Sequence, residues 1–395
     1  MAWKTLKELE LEGSRVLMRV DFNVPLSYDG DIADDTRISS ALPSIEHIAD
    51  SGASLVLMSH MGRPGGKRDS SLSLEVVAHK LGELTDHPVK FVDACVGEKV
   101  KEEVSGLQPG EILLLENLRF YPGEKSNDPE FASRLAQWGD IYVNDAFGTA
   151  HRAHASTVGV PLLFERKGAG FLMEKELREL GSLLEDPERP FVAVLGGVKI
   201  SSKIKLIENL VGVVDRVIIG GAMAFTFFKA AGLETGDSIV NDDYLKMCKK
   251  LMETRNEKGE KKILLPIDCV VAEDTDGYSE FKTVSAGDIP EGWVGVDIGE
   301  KSIGIFSGEL SGAGTIFWNG PMGIFENEDF AEGTRAVAKA IADSGARTVV
   351  GGGDSVSALN SIHLAGSIDH ISTGGGASLT LLEGSVLPAV EALEN

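Results

Sequence analysis

The sequence predicts an α/β protein of two lobes, each a parallel β-sheet flanked by helices, joined by a helical hinge. Its 395 residues, of which 43% are hydrophobic, are enough for two domains with separate cores. Short apolar runs alternate with amphipathic segments, which is the pattern of βα units around a parallel sheet. A long amphipathic stretch at residues 170–190 separates two sets of such units. We interpret it as the hinge, although an ordinary surface helix would have the same pattern.

Apolar runs predict the strands of both sheets. In the first half they cover residues 15–20, 54–60, 89–93, 111–117 and 140–145. In the second half they cover residues 191–197, 216–221, 261–268, 315–320, 347–353 and 370–376. Several of these runs end directly in glycine. A helix between the first two runs is predicted by the 3.6-residue period of its apolar positions, Ile38, Leu42, Ile45 and Ile48.

Composition excludes several classes of protein. A net charge of -23 argues against a nucleic-acid partner, because binding to a phosphate backbone depends on clustered Lys and Arg. The three cysteines, Cys95, Cys248 and Cys269, have no C-x-x-C spacing, which favours a reducing compartment and argues against a zinc site. The first residues lack the apolar core of a signal peptide, and no run approaches the roughly 18 apolar residues of a membrane span. We expect a cytoplasmic protein with no membrane partner.

Two triple-glycine stretches, residues 351–353 and 374–376, each follow an apolar run and precede a helical pattern. A strand that ends in glycines and turns into a helix directs free backbone N–H groups beyond the sheet, where they bind anions. Asp354 and Ser355 would cap the helix that follows the first of these two stretches. Alternatively, Asp354 would hold Mg²⁺ on a nucleotide, since Mg²⁺ takes one or two carboxylates plus phosphate oxygens.

The familiar phosphate-binding fingerprints are incomplete. Both triple glycines begin a G-x-G-x-x-G pattern, but Val356 and Leu379 replace the third glycine, which weakens a dinucleotide-binding interpretation. The stretch "MGRPGGKRD" has Met61 and Arg68 where a P-loop requires glycine and Ser or Thr. The anion sites must therefore be of another kind.

A third glycine element, "LGGVKISSKI", carries Lys199 and Lys203. If a helix begins near Lys199, the two lysines lie on one face beside a glycine turn that admits phosphate. A solvated helix face is the simpler alternative. The adjacent glycine pair favours the phosphate site.

Basic side chains follow predicted strands in the first half. Arg37 opens the first helix after Asp21 and Asn23. The other basic residues come directly after strands and are His60, Arg63, Arg119, His151, Arg152 and His154. Their convergence in an acidic chain predicts a pocket for phosphate and carboxylate, which the planar arginine fork binds in pairs of hydrogen bonds.

These stretches resemble the phosphoglycerate kinase family in order and over nearly the whole chain. They are "RVDFNVPL", "DDTRI", "LMSHMGRP", "LLENLRF", "VNDAFGTAHRAHAST", "LGGVKISSKI", "FWNGPMGIFE", "VVGGGDS" and "STGGGAS". The resemblance implies a monomeric, Mg²⁺-dependent enzyme that transfers a phosphoryl group between 1,3-bisphosphoglycerate and ADP, giving 3-phosphoglycerate and ATP in glycolysis and gluconeogenesis. It also implies lobes that close around the substrates.

The resemblance also implies a division of the chain. An N-terminal 3-phosphoglycerate domain would cover residues 1–170 and a connecting helix residues 171–189. A nucleotide domain would cover residues 190–376, and residues 377–395 would return to the first lobe.

Roles for single residues follow from the same resemblance. The phosphoglycerate would be bound by Asp21, Phe22, Asn23, Arg37, His60, Met61, Gly62, Arg63, Arg119 and Arg152. The nucleotide would be bound by Gly197, Lys199, Lys203, Gly221, Asn319, Pro321, Glu326, Gly352, Gly353, Asp354 and Ser355. Asp354 would serve the metal. The transferred phosphoryl group would meet the catalytic residues Arg37, Lys199, Gly375 and Gly376. Val198 and Thr380 depart from residues common in the family, which puts only fine geometry in question.

Two other functions share the architecture. A nicotinamide-dependent dehydrogenase would have the same alternating pattern, but the missing third glycines count against it. A two-lobed binding protein without catalysis would also fit, although such proteins are normally exported. We expect phosphoryl transfer, in which the protein neutralises two anions and aligns them with little covalent work of its own.

Overall fold

The computed structural model describes residues 3–276 and 280–394, which separate into two units. The first unit takes the chain up to Arg178 and the segment from Val386 onward. The second unit is continuous from Glu179 to Ser385. The return to the first unit therefore begins at Val386, later than the residue 377 expected from the sequence.

The strands are short and mostly apolar. In chain order they are β1 Arg15–Arg19, β2 Ser54–Met58, β3 Val89–Val92, β4 Ile112–Leu115, β5 Ile141–Asn144, β6 Lys167–Ala169, β7 Phe191–Leu195, β8 Arg216–Ile219, β9 Glu234–Thr235, β10 Ile263–Leu264, β11 Asp268–Ala272, β12 Phe281–Ser285, β13 Asp288–Ile289, β14 Val294–Ile298, β15 Thr315–Asn319, β16 Arg347–Val350 and β17 His370–Ile371.

The α-helices lie between these strands. They are α1 Thr36–Asp50, α2 Glu75–Leu84, α3 Glu98–Ser105, α4 Pro122–Ser126, α5 Pro129–Ala136, α6 Phe171–Glu185, α7 Ile204–Val213, α8 Ala224–Ala230, α9 Leu245–Met252, α10 Glu300–Ser311, α11 Glu332–Ala342, α12 Gly353–Ser361, α13 Gly376–Leu382 and α14 Pro388–Glu394.

Each unit is built on a six-stranded parallel sheet, which confirms the predicted fold class. The order is β3-β4-β2-β1-β5-β6 in the first unit and β10-β8-β7-β15-β16-β17 in the second. The central strands carry continuous apolar runs because helices cover both faces of such a sheet. In β1, for example, Val16, Leu17 and Met18 are all fully buried.

The second unit also contains sheet structure that the apolar runs do not predict. Strands β12, β11 and β14 form an antiparallel sheet, and β13 pairs with β9. The run predicted as one strand at residues 261–268 is divided between β10 and the start of β11. The run predicted at 370–376 is a strand only at His370–Ile371 before the glycines turn the chain.

The connecting segment is helical, as the amphipathic pattern predicts. The first turn of α6 is anchored in the first unit, because Ser44 Oγ accepts a hydrogen bond from Phe171 N at 2.8 Å and Asp145 Oδ1 accepts one from Met173 N at 2.9 Å. Burial raises the pKa of Asp145 to about 6. The division between the units falls after Arg178, within α6.

The C-terminal helix α14 packs on the first unit. Ala389 N donates a hydrogen bond to Ala150 O at 3.1 Å, and the side chains of Ala389, Ala392 and Leu393 are buried. Helix α14 therefore buries apolar side chains in the first unit, although it follows the whole of the second unit in the chain.

Candidate functional site

In the first unit, the residues expected to bind phosphoglycerate follow the carboxyl ends of adjacent strands. Asp21 and Asn23 follow β1, residues 60–63 follow β2, Arg119 follows β4 and Arg152 follows β5. Because β4, β2, β1 and β5 are neighbours in a parallel sheet, these loops emerge at one edge. That edge is where ligands bind in open α/β sheets.

Arg37 is paired with Asp21. Its Nη1 lies 2.5 Å from Asp21 Oδ2, and Arg37 stays about a third exposed while Asp21 is largely buried. Burial alone would raise the pKa of Asp21, but its interactions with His60, Arg37 and Arg19 outweigh burial and hold the pKa below its usual range. The ionised carboxylate fixes the guanidinium through one edge and leaves its other N–H groups for a ligand.

His60 does not contribute positive charge, contrary to its grouping with the basic residues. Its Nδ1 lies 3.1 Å from Arg19 Nη2 and 3.8 Å from Asp21 Oδ1. Burial and the neighbouring arginines hold the pKa of His60 well below its usual value, against the opposing effect of Asp21. Burial likewise lowers the pKa of His154 to about 4, with Arg19 and Arg119 adding to the effect. At neutral pH the positive charge of this site therefore comes from arginine.

Arg119 has unused hydrogen-bonding capacity. Its Nη1 donates to Gly62 O at 2.5 Å, and Gly62 N donates to Asn23 Oδ1 at 2.8 Å. Its Nε is buried and has no hydrogen-bond partner among the residues that the structure describes. Burial lowers the pKa of Arg119 to about 10, and Arg152 lowers it further as a like charge. Crowded arginines with unsatisfied donors favour an anion at this place.

The other expected residues differ in exposure. Phe22 and Met61 are buried and their backbone groups are hydrogen-bonded within the chain, whereas Arg63 is exposed. Arg152 is half-buried and its Nε donates to His151 Nε2 at 3.1 Å.

Sequence reasoning missed Asn117, which joins two of the loops. Asn117 Nδ2 donates to Met61 O at 2.7 Å and to Leu72 O at 2.9 Å. Its Oδ1 accepts from Met61 N at 3.2 Å and Arg119 N at 3.0 Å. The side chain is fully buried and uses its donors and acceptor on backbone, so it holds the loop that carries His60 to Arg63.

A buried charge network under the site was also missed. Arg19 Nε donates to Ser156 Oγ at 2.9 Å, and Ser156 Oγ donates to Glu124 Oε1 at 2.6 Å. Ser156 lies in a π-helical turn, Ala155–Gly159, of a kind often found at functional sites. The signal in the sequence is the arginine inside the apolar strand "RVLMRV".

In the second unit, glycines bring three strand ends into backbone contact. Gly196 N donates to Asn319 O at 3.0 Å, Gly197 N to Pro321 O at 2.9 Å and Gly221 N to Met322 O at 2.9 Å. A Cβ atom built at Gly196 would lie 2.0 Å from Pro321 O. Only glycine permits this approach.

Lys203 is held by the same strand ends. Its Nζ donates to Gly196 O and Asn319 O, both at 2.7 Å. Burial lowers the pKa of Lys203 to about 8, although the nearby Asp354 carboxylate acts in the opposite direction. A third donor of the ammonium group is left for a ligand anion.

The expected placement of the two lysines on one helix face is wrong. A 3₁₀ turn, Ile200–Ser202, separates them, and α7 begins only at Ile204. Lys199 is exposed, whereas Lys203 is half-buried. Lys203 differs from Lys199 because its ammonium group donates hydrogen bonds to Gly196 O and Asn319 O at the strand ends.

The first triple glycine leaves open space before α12. Gly352 has a φ of 94° and caps the helix without a side-chain hydrogen bond. A Cβ atom at Gly353 would meet nothing within 4 Å, and the same is true at Gly375, which has a φ of 51°. Packing within the described chain therefore does not require a glycine at Gly353 or Gly375, whereas a Cβ atom at Gly352 would lie 2.8 Å from Asn319 Nδ2.

Capping by Asp354 or Ser355 is not observed. Ser355 is fully buried, and its Oγ accepts a hydrogen bond from Gly320 N at 2.6 Å, so its hydroxyl serves the loop after β15. Asp354 is exposed in the first turn of α12. Asn319 is buried and its Nδ2 donates to Gly351 O at 2.7 Å, which ties the same loop to the glycines.

A cavity of about 390 Å³ lies beside these loops. Of the residues expected to contact nucleotide, it is lined by Gly197, Gly221, Pro321, Glu326 and Asp354. Most of its remaining wall is apolar, as is typical of small-molecule sites. The wall residues that escaped the sequence reasoning include Gly295 and Asp297.

The donor set at this cavity fits a magnesium–phosphate complex. The Asp354 carboxylate is exposed, directly follows Gly353 in the chain and lies near Lys203. Residues 3–276 and 280–394 contain no group of three or more His, Cys, Asp or Glu side chains placed to hold a metal alone. Mg²⁺ bound through one carboxylate and phosphate oxygens matches this arrangement.

Comparison with known proteins decides the family. The family model for phosphoglycerate kinase matches residues 6–385. A phosphoglycerate kinase of Chlorobium phaeobacteroides is 54% identical over 398 aligned residues that cover both chains completely. The chain belongs to the phosphoglycerate kinase family. With the family comes the enzyme class, a phosphotransferase with a carboxyl group as acceptor, whose chemistry depends on ATP and ADP.

Solved phosphoglycerate kinases share the fold throughout. The structure from Coxiella burnetii superposes with a TM-score of 0.89 at 38% identity, covering 99% of this chain and 98% of its own. The structure from Pyrococcus horikoshii gives a TM-score of 0.83 at 34% identity, with 98% of each chain covered. Among the described residues, no helix is long and apolar enough to cross a membrane.

Proposed function

We propose that the first unit binds the phosphoglycerate and that the second unit binds the nucleotide. As a member of the phosphoglycerate kinase family, the chain transfers a phosphoryl group reversibly between 1,3-bisphosphoglycerate and ADP. The observation that carries the assignment is the separation of chemistry: arginines crowd the strand ends of one sheet, whereas glycines, a half-buried lysine and an apolar cavity occupy those of the other.

The arginine cluster suits the smaller, doubly anionic substrate. A phosphoglycerate carries a carboxylate and a phosphate, and both match the planar guanidinium fork. Arg37, Arg63, Arg119 and Arg152 supply charge, and neutral His60 with Asn23 supplies directional hydrogen bonds. Asp21 keeps Arg37 oriented.

Arg37 is the catalytic candidate of this set. It is paired with Asp21 on one side and partly exposed on the other, so that it can contact an oxygen of the group in transfer. A cation that meets developing charge stabilises the transition state more than the ground state.

The cavity and glycine loops suit a nucleoside diphosphate or triphosphate. Its apolar wall is suited to a base and the exposed Glu326 to a ribose hydroxyl. Lys203 and the open backbone N–H groups at Gly353 are suited to the phosphates. Lys199, Gly375 and Gly376 would meet the transferred group, since Lys199 is exposed and space in front of Gly375 is open.

Asp354 is the residue that would hold Mg²⁺. Bound there with the nucleotide, the ion would neutralise phosphate charge and orient the phosphates. We expect Asp354→Asn to raise the Mg²⁺ concentration needed for half-maximal activity, while 3-phosphoglycerate binding measured by calorimetry without metal stays unchanged. An unaltered Mg²⁺ requirement would remove Asp354 from the metal site.

A crossed calorimetry experiment tests the assignment of the two units. Lys203→Ala should weaken ADP binding and leave 3-phosphoglycerate binding nearly intact, and Arg119→Ala should do the reverse. Equal loss for both ligands in either variant would contradict the assignment.

We also propose that the enzyme acts in the cytoplasm as a monomer. The glycolytic reaction of its family and three buried, unpaired cysteines support this location. Sedimentation at micromolar concentration tests the oligomeric state, and a dimer would overturn it.

A further inference from the structure

The loop after β15 forms one wall of the cavity in the second unit. Pro321, Met322 and Gly323 line it directly. Met322 O accepts a hydrogen bond from Gly221 N at 2.9 Å, and a Cβ atom at Gly220 would lie 2.4 Å from Met322 Sδ. A displacement of Met322 would therefore alter two walls of the cavity.

The N-terminal turn of α11 holds this loop. Thr334 Oγ1 accepts hydrogen bonds from Met322 N at 3.0 Å and from Gly323 N at 3.3 Å. Thr334 is buried, so no water replaces these bonds easily if the hydroxyl is lost.

Asp297 of β14 in turn holds the start of α11. Its Oδ2 accepts from Gly333 N at 2.6 Å and its Oδ1 from Ile298 N at 2.8 Å. A Cβ atom at either Gly323 or Gly333 would lie 2.3 Å from Asp297 Oδ1. One buried carboxylate thus touches both the loop and the helix that supports it.

We propose that Asp297 is a positioning residue for the nucleotide, acting through Thr334 to hold Met322 and Gly323 in the conformation that shapes the cavity. The inference rests on the proposed binding of nucleotide in this cavity. Asp297 takes no part in the transfer itself, because both of its oxygens are engaged by backbone N–H groups.

The ionised form of Asp297 is the one that this geometry requires. Both carboxylate oxygens accept hydrogen bonds from backbone N–H groups. A proton on either oxygen would replace that acceptor with an O–H donor that faces an N–H donor. Burial raises the pKa of Asp297 to about 7; the two backbone N–H bonds oppose this effect and Glu332 adds to it. The ion pairs formed by the described residues do not include Asp297. The titratable groups on the elements around it are Glu332 on α11, Cys269 and Asp268 on β11, and Glu326 and Asp354 on the cavity wall.

The sign of the pH effect separates positioning from stability. The pKa of Asp297 is higher in the folded chain than its ordinary value of 3.8, so its contribution to the free energy of unfolding decreases as pH rises through about 7. Nucleotide affinity should change in the opposite direction, because the ionised carboxylate holds the loop. A residue with a purely structural role would show the first effect alone.

The test compares Asp297→Asn with a matched variant, Asp268→Asn. Asp268 is equally buried in the same unit and accepts from Ser302 N at 2.9 Å and Lys301 N at 3.1 Å at the start of α10, but it does not line the cavity. Calorimetry measures the dissociation constants of ADP and of 3-phosphoglycerate, and thermal unfolding is recorded for each variant.

We expect Asp297→Asn to weaken ADP binding about tenfold above about pH 7.5, with the ratio to wild type shrinking toward one below about pH 6. The titration of ADP itself cancels in that ratio. Asp268→Asn should lower the melting temperature and leave ADP affinity unchanged, and 3-phosphoglycerate affinity should be unchanged in both. Equal ADP affinity in Asp297→Asn and Asp268→Asn, or a ratio independent of pH, would overturn the proposal.

Thr334 provides a second route if Asp297→Asn does not fold. Thr334→Val removes the acceptor and should weaken ADP binding, whereas Thr334→Ser keeps the hydroxyl and should restore it. Wild-type affinity in Thr334→Val would also overturn the proposal. Unchanged ADP affinity in Lys203→Ala would refute the proposed nucleotide site itself. Weakened ADP binding in Lys203→Ala together with wild-type ADP affinity in Asp297→Asn would refute the positioning role alone.

Discussion

At the scale of single residues, Lys203 combines two properties that oppose each other. Its two carbonyl partners fix the ammonium group in place, while burial disfavours its charge and lowers its pKa to about 8. Polyphosphate binding needs the charged form. The position of Lys203 therefore links nucleotide affinity to pH.

We expect ADP affinity to fall as pH rises through about 8, by up to about tenfold per pH unit, because the free enzyme loses the Lys203 proton. Calorimetry with ADP without metal measures this slope. Lys203→Ala should abolish it, whereas Lys205→Ala, at an exposed lysine in the same segment, should keep it. A slope that survives in Lys203→Ala would assign the titration to another group.

Arg37 and Arg119 allow transition-state and ground-state roles to be separated. Arg37 is partly exposed and oriented by Asp21, whereas Arg119 is buried and bonded to Gly62 O. We expect Arg37→Ala to lower kcat about 10²- to 10³-fold with a smaller change in KM, and Arg119→Ala to act mainly on KM. A raised KM for Arg37→Ala with kcat within about threefold of wild type would reduce Arg37 to uniform binding.

At the scale of elements, the glycines fall into two groups. Gly196 is enclosed by Pro321 O and Gly320 O, so that a side chain cannot be accommodated. Gly353 begins α12 and faces open space. The first group joins strand ends to each other, and the second leaves backbone free for a ligand.

Gly196→Ala and Gly353→Ala form a matched pair on this basis. Gly196→Ala should lower the melting temperature markedly, because the new methyl group would separate the strand ends. Gly353→Ala should keep or raise stability by up to about 1 kcal/mol, since alanine favours a helix, yet weaken ADP binding if phosphate approaches this backbone. Thermal unfolding and ADP calorimetry distinguish them. Unchanged ADP binding in Gly353→Ala would mean that no ligand comes close to Gly353.

The parallel sheets could be predicted because their strands are buried on both faces and carry unbroken apolar runs. Strand β12 could not, since most of its residues are exposed and it alternates weakly. The edge strand β6 has only three residues, "KGA", and its pairing with β5 is determined by tertiary contacts.

Parts of the site are visible in the sequence for a related reason. The arginine cluster could be predicted from the sequence because most of its members directly follow predicted strands, and the carboxyl ends of parallel strands lie at one edge of the sheet. The bonds from Asn117 to Met61 O and Leu72 O, and from Arg19 to Ser156, join residues far apart in sequence that no local pattern connects. The neutral state of His60 is equally hidden, because it results from burial beside Arg19.

At the scale of the whole molecule, the first unit depends on the last residues of the chain. Leu393 is buried against it, and full burial of one leucine contributes roughly 1.5 to 3 kcal/mol. The second unit has no such dependence because its chain is continuous.

A chain truncated after Ser385 should therefore lose 3-phosphoglycerate affinity and melt at a lower temperature, while ADP affinity is retained. Calorimetry with each ligand measures both effects. Val386→Ser, at an exposed position of the same segment, should behave as wild type. Retention of wild-type stability and 3-phosphoglycerate binding after truncation would show that α14 is dispensable.

The late return of the chain also bears on synthesis. Domains generally fold as units in the order in which the ribosome releases them, N-terminal first. Here the first unit lacks α14 until residues 386–394 have been synthesised and have left the exit tunnel. The second unit, complete at Ser385, has all of its sequence before then. The half of the enzyme that is translated first is thus completed after the other half, and a nascent chain would acquire the proposed nucleotide site before the proposed phosphoglycerate site is fully supported.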